Sequence, residues 1–172
     1  MATLTYTSRE EIEVHKFSAV ATIGIPLLAI FFQTYIPRTL TFVQMFDIPL
    51  IVTIFFAVAR RNPIAGTVTG CVIGLVQDSL AGQPLGIFGI AKSLIGYMAS
   101  SIGMKVDVDN PGSRFLITLG FTLVHNLIYF LVATYMVRIA TEWHTLHELG
   151  RAVANAFLAV VLFAIMDRAK KR

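Results

Sequence analysis

Gln77, Asp78 and Lys92 lie in "QDSLAGQPLGIFGIAKSLIGY", residues 77–97, a stretch with the apolar density of a lipid-facing helix, broken at Gly82 and Pro84. A lone charge at the centre of a membrane span costs about 2.5–3.5 kcal/mol on insertion scales, so such groups are paired, wetted or functional. The turn "AGQPLG" is short enough to make its flanking helices antiparallel neighbours. Asp78 and Lys92 are therefore expected to form an ion pair across this hairpin, directly or through water. Lys92 lies about 10 Å deep by the helical rise. The pair thus requires the first helix to end late or the turn to dip into the membrane.

Other polar side chains admit plainer roles. Asp47 precedes Ile48-Pro49 and fits a helix cap at the outer surface, because Pro is well placed in a first turn. His125 and Asn126, mid-span in "FTLVHNLIYF", suit hydrogen-bond glue between helices better than a proton relay, since no carboxylate accompanies them in the sequence. His144 and His147 lie three apart near Glu142 and Glu148, but no fourth metal ligand is evident. Cys71, the single cysteine, sits in an apolar run and is assigned to packing. No HExxH, GxSxG or phosphate-loop pattern occurs, and no pair of carboxylates shares a span. Neither catalysis, a metal nor a cofactor is expected.

The elements that hold these groups are membrane helices. Of the 172 residues, 56% are hydrophobic and 14% charged, and the mean hydropathy is +0.73. The charges cluster between apolar runs that approach the ~20 residues needed to cross ~30 Å of hydrocarbon. The expected fold is an all-α integral membrane protein, one polytopic domain over residues 1–172, with six transmembrane helices near 17–36, 41–59, 64–81, 84–104, 115–137 and 149–167. The first span lies behind "TSREEIEVHK" and lacks a small-residue cleavage site, so it is read as a retained span rather than a leader. The sixth has a charge-free part of only 15 residues, 152–166, and Arg151 and Arg168 would have to snorkel.

Lys and Arg counts give an orientation. With a cytoplasmic amino terminus, ten basic residues fall inside and three, Arg38, Arg138 and Arg151, fall outside; Lys92 is within a span. Both termini are expected in the cytoplasm. The net charge of +4 flanks apolar runs, which argues for a membrane and against nucleic acid.

Gly66, Gly70 and Gly74 recur every four residues in the third span, and Gly89, Ser93, Gly96, Ser100 and Gly103 form a small-residue line in the fourth. Such spacing lets two helix backbones approach closely. Asp78 follows Gly74 by four, and Lys92 lies between Gly89 and Gly96, so both are expected to point toward these seams.

Residues 46–103 resemble the rod shape-determining membrane protein MreD family, whose pattern is an apolar run, a basic turn, a Gly-rich run ending GLxQD, a PLG turn and a helix closing on GY. Gly74, Leu75, Gln77, Asp78, Pro84, Leu85, Gly86, Gly96 and Tyr97 carry the match. Lys92 departs from it, standing where an apolar residue is usual, and inherits no family role. The resemblance implies a non-enzymatic subunit of the bacterial cell-elongation machinery in the cytoplasmic membrane, a partner of the bitopic protein MreC. Through MreC it would act on the RodA glycosyltransferase with its penicillin-binding transpeptidase, and on the MreB cytoskeleton. The family is also similar in six-helix architecture to the S-components of vitamin transporters, which implies an alternative role as a small-molecule-binding subunit. That role would require a polar-lined cavity facing outward, to which Asp78, Lys92 and His125 could contribute.

Overall fold

In the computed structural model, residues 18–36, 41–106 and 110–169 are described, and among them the chain is helical with no strand. Helices α1 (Ala19–Tyr35), α2 (Ile48–Arg60), α3 (Pro63–Ala81), α4 (Ile87–Gly103), α5 (Pro111–Leu131) and α6 (Thr145–Met166) follow in order. A 3-10 turn, Thr41–Met45, leads into α2; a π turn, Val132–Met136, extends α5; and a 3-10 turn, Asp167–Ala169, ends α6.

Local chemistry sets most of these boundaries. Asp47, Asn62 and Asn110 each accept a hydrogen bond from a first-turn N–H, and each stands just before or two residues before a Pro in the opening turn. Between α2 and α3, Arg61 takes the left-handed conformation (φ 51°), and Asn62 starts the next helix at once. Gly82 closes α3 at φ 65°, where a side chain would be strained.

Contacts at both ends show that the helices run alternately up and down. Arg114 at the start of α5 pairs with Asp167 just beyond α6, at 2.7 Å, and Arg60 at the end of α2 donates to Thr22 in α1 at 2.9 Å. At the opposite end, Gln33 of α1 donates to the Phe46 carbonyl, and Asn155 of α6 accepts from the Asp47 N–H. Arg60, Arg61, Lys105, Arg114 and Arg168 therefore share one end, hereafter the basic end, whereas Arg138 and Arg151 lie toward the other. Arg9, Lys16, Arg38, Lys170, Lys171 and Arg172 lie outside the described residues.

The central helix is α2, buried at every position from 49 to 59. A helix apolar on all sides has no face for water or lipid and belongs at the middle of a bundle. Leu50, Ile54 and Phe55 pack with Ile95 and Ala99 of α4 and Phe163 of α6 in one core cluster, the Phe55 and Phe163 rings meeting at 5.2 Å. The outer helices turn Val20, Ile64, Leu116 and Phe157 outward, all more than half exposed, which suits a lipid surround.

Among the described residues, four segments are long and apolar enough to cross a membrane: Phe42–Arg60, Pro63–Ala81, Pro111–Met136 and Thr145–Met166. The two remaining apolar helices, Val20–Tyr35 and Ile87–Gly103, are shorter. Several boundaries differ from the hydropathy reading. Helix α5 begins at Pro111 rather than 115, because the Asn110 cap starts it before its apolar stretch does, and α6 begins at Thr145 rather than 149. Residues 84–86 belong to the turn, and α4 starts at Ile87.

Candidate functional site

The glycine seams bring α3 and α4 into backbone contact. A Cβ on Gly66 would strike Ser100 Oγ and the Gly96 carbonyl, one on Gly70 the Lys92 carbonyl, one on Gly74 the Phe88 carbonyl, and one on Gly96 the Gly66 carbonyl. Gly89 is less tightly enclosed: a Cβ there would lie 3.0 Å from the flexible end of the Leu75 side chain. Because Gly70 lies against the backbone of Lys92, the seam fixes where that ammonium enters the bundle.

Lys92 is fully buried, and its Nζ donates to Asp47 Oδ2 at 2.7 Å. The expected ion pair with Asp78 is therefore corrected: the partner is Asp47. The reason is depth. The 3-10 turn before α2 carries Asp47 inward to the level of Lys92, one and a half turns into α4. Asp78 stays at the mouth of the hairpin. There its carboxylate accepts three backbone N–H bonds, from Gly86 (2.9 Å), Phe88 (3.1 Å) and Gly89 (3.2 Å). Gly86, at φ 107°, provides no side-chain cap for α4, so Asp78 caps that helix from α3.

Asp47 is indeed the N-cap of α2, with Oδ1 accepting from Leu50 N at 2.9 Å, but it is 7% exposed rather than at the surface. Its own N–H donates to Asn155 Oδ1 at 2.8 Å, and Asn155 Nδ2 donates to the carbonyls of Met45 (3.0 Å) and Arg151 (2.8 Å). Asn155 thus ties the start of α2 to α6. The hydropathy reading passed over it; an Asn in the otherwise apolar "AVANAFLAV" was the available signal.

His125 and Asn126 extend the network. Lys92 Nζ lies 3.3 Å from His125 Nε2, His125 Nδ1 lies 3.3 Å from Asn126 Oδ1, and Asn126 Nδ2 donates to Glu148 Oε2 at 2.7 Å. An ammonium has no acceptor, so it donates to Nε2. The Nδ1 proton then goes to Asn126, and one donor direction runs from Lys92 to Glu148. The sequence reading that no carboxylate accompanies His125 is also corrected, since Asp47 Oδ2 is 3.9 Å from its Nε2. The Phe88 ring lies parallel to His125 at 6.0 Å, and Lys92 Nζ is 4.7 Å from the Phe88 centroid. His144 meets Glu142 at the exposed surface at 3.1 Å.

Above this network the bundle opens. A cavity of about 490 Å³ is lined by Gln33, Gln44, Asp47, Gln77, Phe88 and Arg151 among others. A second, of about 280 Å³, shares Phe88, Tyr129 and Arg151 with it and reaches His125, Trp143 and Glu148. The remaining motif residues spread out: Gln77 is buried, Pro84 and Leu85 are exposed in the turn, and Tyr97 is 55% exposed on the outer side of α4.

The family model described as rod shape-determining protein MreD matches residues 15–168. The chain belongs to the MreD family. This is a family of membrane proteins that act in rod shape determination, and the match covers the whole bundle, including α5 and α6, beyond the stretch that carries the quoted motif. No curated protein and no solved structure matches the chain. Within this MreD-family bundle the GLxQD and PLG motifs have a physical meaning. Gly74 lets α4 approach, and Asp78 caps the helix that the PLG turn begins.

Proposed function

We propose that this chain is a non-enzymatic scaffold and regulatory subunit of the bacterial cell-elongation machinery. It spans the cytoplasmic membrane six times, with both termini in the cytoplasm. Its direct partner is MreC, and through that complex it acts on RodA, the penicillin-binding transpeptidase and MreB. The family match over residues 15–168 carries this reading. Two features support it: the motif residues serve helix capping and close packing, and the basic residues gather at one end of an alternating bundle. Tagged protein purified in mild detergent should recover MreC; recovery of the elongation proteins without MreC would refute the direct partnership. Cysteines placed at Arg61 and Gln83 should be labelled only from the cytoplasmic side and only from outside, respectively, and the reverse pattern would invert the topology.

The open cavity supports a second reading, a binding subunit resembling the transporter S-components. That reading requires an energising ATPase module in the same purification.

A further inference from the structure

The cavity at the end opposite the basic residues holds two kinds of polar group. Some are already occupied. Gln33 donates to Phe46 O at 2.8 Å and accepts from Ile48 N at 3.2 Å, and both oxygens of Asp47 are engaged by Leu50 N and Lys92. Others line the same space and make no side-chain hydrogen bond with the described residues: the exposed amides of Gln44 and Gln83, the Tyr129 hydroxyl, and two buried atoms, Gln77 Oε1 and Arg151 Nε. Gln77 is 5% exposed, and its buried Oε1 has no partner. Native interiors rarely leave a polar atom in that state unless a ligand or water uses the site.

Charge narrows the chemistry. Lys92 neutralises Asp47, and Arg151 Nη1 lies 3.6 Å from Glu148 Oε2, so each cation beside the cavity is balanced by a carboxylate, although Arg151 Nε remains an open donor. Asp78 is consumed by backbone N–H groups. The free groups are amides and a phenol, which both donate and accept, with Arg151 Nε as a further donor, and hydroxyl or amide groups on a ligand complement them. Phe88 and Tyr129, stacked at 5.0 Å, give an aromatic wall for the apolar face of a ring. Pockets for small ligands run from about 300 to 1,000 Å³, and this one measures about 490 Å³ before the adjoining 280 Å³ is added.

We propose that this cavity binds an uncharged glycosyl group bearing hydroxyl or amide substituents, with Gln77, Gln83 and Tyr129 as its hydrogen-bonding residues and Arg151 at the junction of the two chambers. The group arrives either as a free saccharide or as the head of a lipid. This is independent of the partnership with MreC, since the isolated chain carries every residue named.

Trp143, the single tryptophan, lines the adjoining chamber and reports occupancy by its fluorescence. The full chain in phosphatidylcholine nanodiscs is titrated with N,N′-diacetylchitobiose, with a neutral galactosyl diacylglycerol added to the bilayer, and with glycerol phosphate. A saturable change with either sugar is expected, and which sugar produces it tells the free source from the lipid-linked one. Gln77→Leu and Tyr129→Phe should each weaken binding about tenfold, roughly the worth of one hydrogen bond in a desolvated site. Val72→Leu, on the outward face of α3, should leave it unchanged. Gln83→Ala lies in an exposed turn and should weaken binding even if Gln77→Leu fails to fold. No saturable response to either sugar, equal responses in the wild type and the Gln83 and Tyr129 variants, or tighter binding of glycerol phosphate would each overturn the proposal.

Discussion

The two ends of the bundle are built by different physics. At the basic end, α2 is sealed by Ile54, Phe55, Phe56 and Val58, and the arginines lie against aromatic rings, Arg60 over Phe56 and the buried Arg114 over Phe163, beside Thr22 and Asp167 respectively. At the other end, Asp47, Lys92, His125, Asn126 and Asn155 are all buried, and cavities open above them. Dispersion between packed apolar side chains needs only shape, so the basic end tolerates conservative change. A buried polar network is stable only when every member is satisfied, and it specifies one arrangement of helices. Between the ends runs the α3–α4 seam, where backbone meets backbone and neither kind of adjustment is available.

This contrast can be broken by mutation. The largest effect is expected at the seam. Gly70→Leu should abolish the folded protein, because its Cβ meets the Lys92 carbonyl, while Val72→Leu on the exposed face should change thermal stability by less than about 0.5 kcal/mol. If both variants melt alike in detergent, the seam is not what joins α3 to α4.

Next comes the buried pair. Lys92→Met strands Asp47 and should cost about 3–5 kcal/mol, whereas Lys92→Met with Asp47→Asn should cost much less, since the Asn retains the cap on α2. The double-mutant cycle measures this coupling directly, and simple additivity would sever Lys92 from Asp47. The same cycle between Lys92 and Asp78 should give a clearly smaller coupling, since Lys92 donates to Asp47 and the Asp78 oxygens are taken by backbone N–H groups.

A smaller loss is expected at Asp78. Asp78→Ala removes the acceptor for three backbone N–H groups and should cost about 1–3 kcal/mol, with Asp78→Asn recovering part of it. Hydrogen exchange should report the loss at the first turn of α4. The smallest effect is expected at the rim. Thr22→Val removes the acceptor for Arg60 at a half-buried site and should cost under about 1 kcal/mol. A larger loss there would mean that the basic end is also held by a polar network.

How much was legible differs residue by residue. The Asn62-Pro63 helix start, the break at Gly82 and the glycine spacing of α3 depend on groups within a few positions of one another, so the chain displays them directly. Asn155 and Gln33 bind segments 108 and 13 residues away, and nothing local marks them as ties between helices. The carboxylate beside His125 is hidden for the same reason, since α2, α3 and α4 separate Asp47 from it in the chain.

Composition and apolar run length alone determined that this chain belongs in a membrane, because burying that much hydrocarbon in a single soluble core of this size is not feasible. The ordered motif in turn pointed to the family, and the small-residue periods marked which helix faces could come close. Only the tertiary structure decided which carboxylate meets Lys92. Each residue along a helix moves a side chain about 1.5 Å in depth and 100° in direction, so pairing depends on where a neighbouring helix begins. For α2 that point is set by a 3-10 turn whose inward position rests on Gln33 of the preceding helix and on Asn155 of α6, far along the chain.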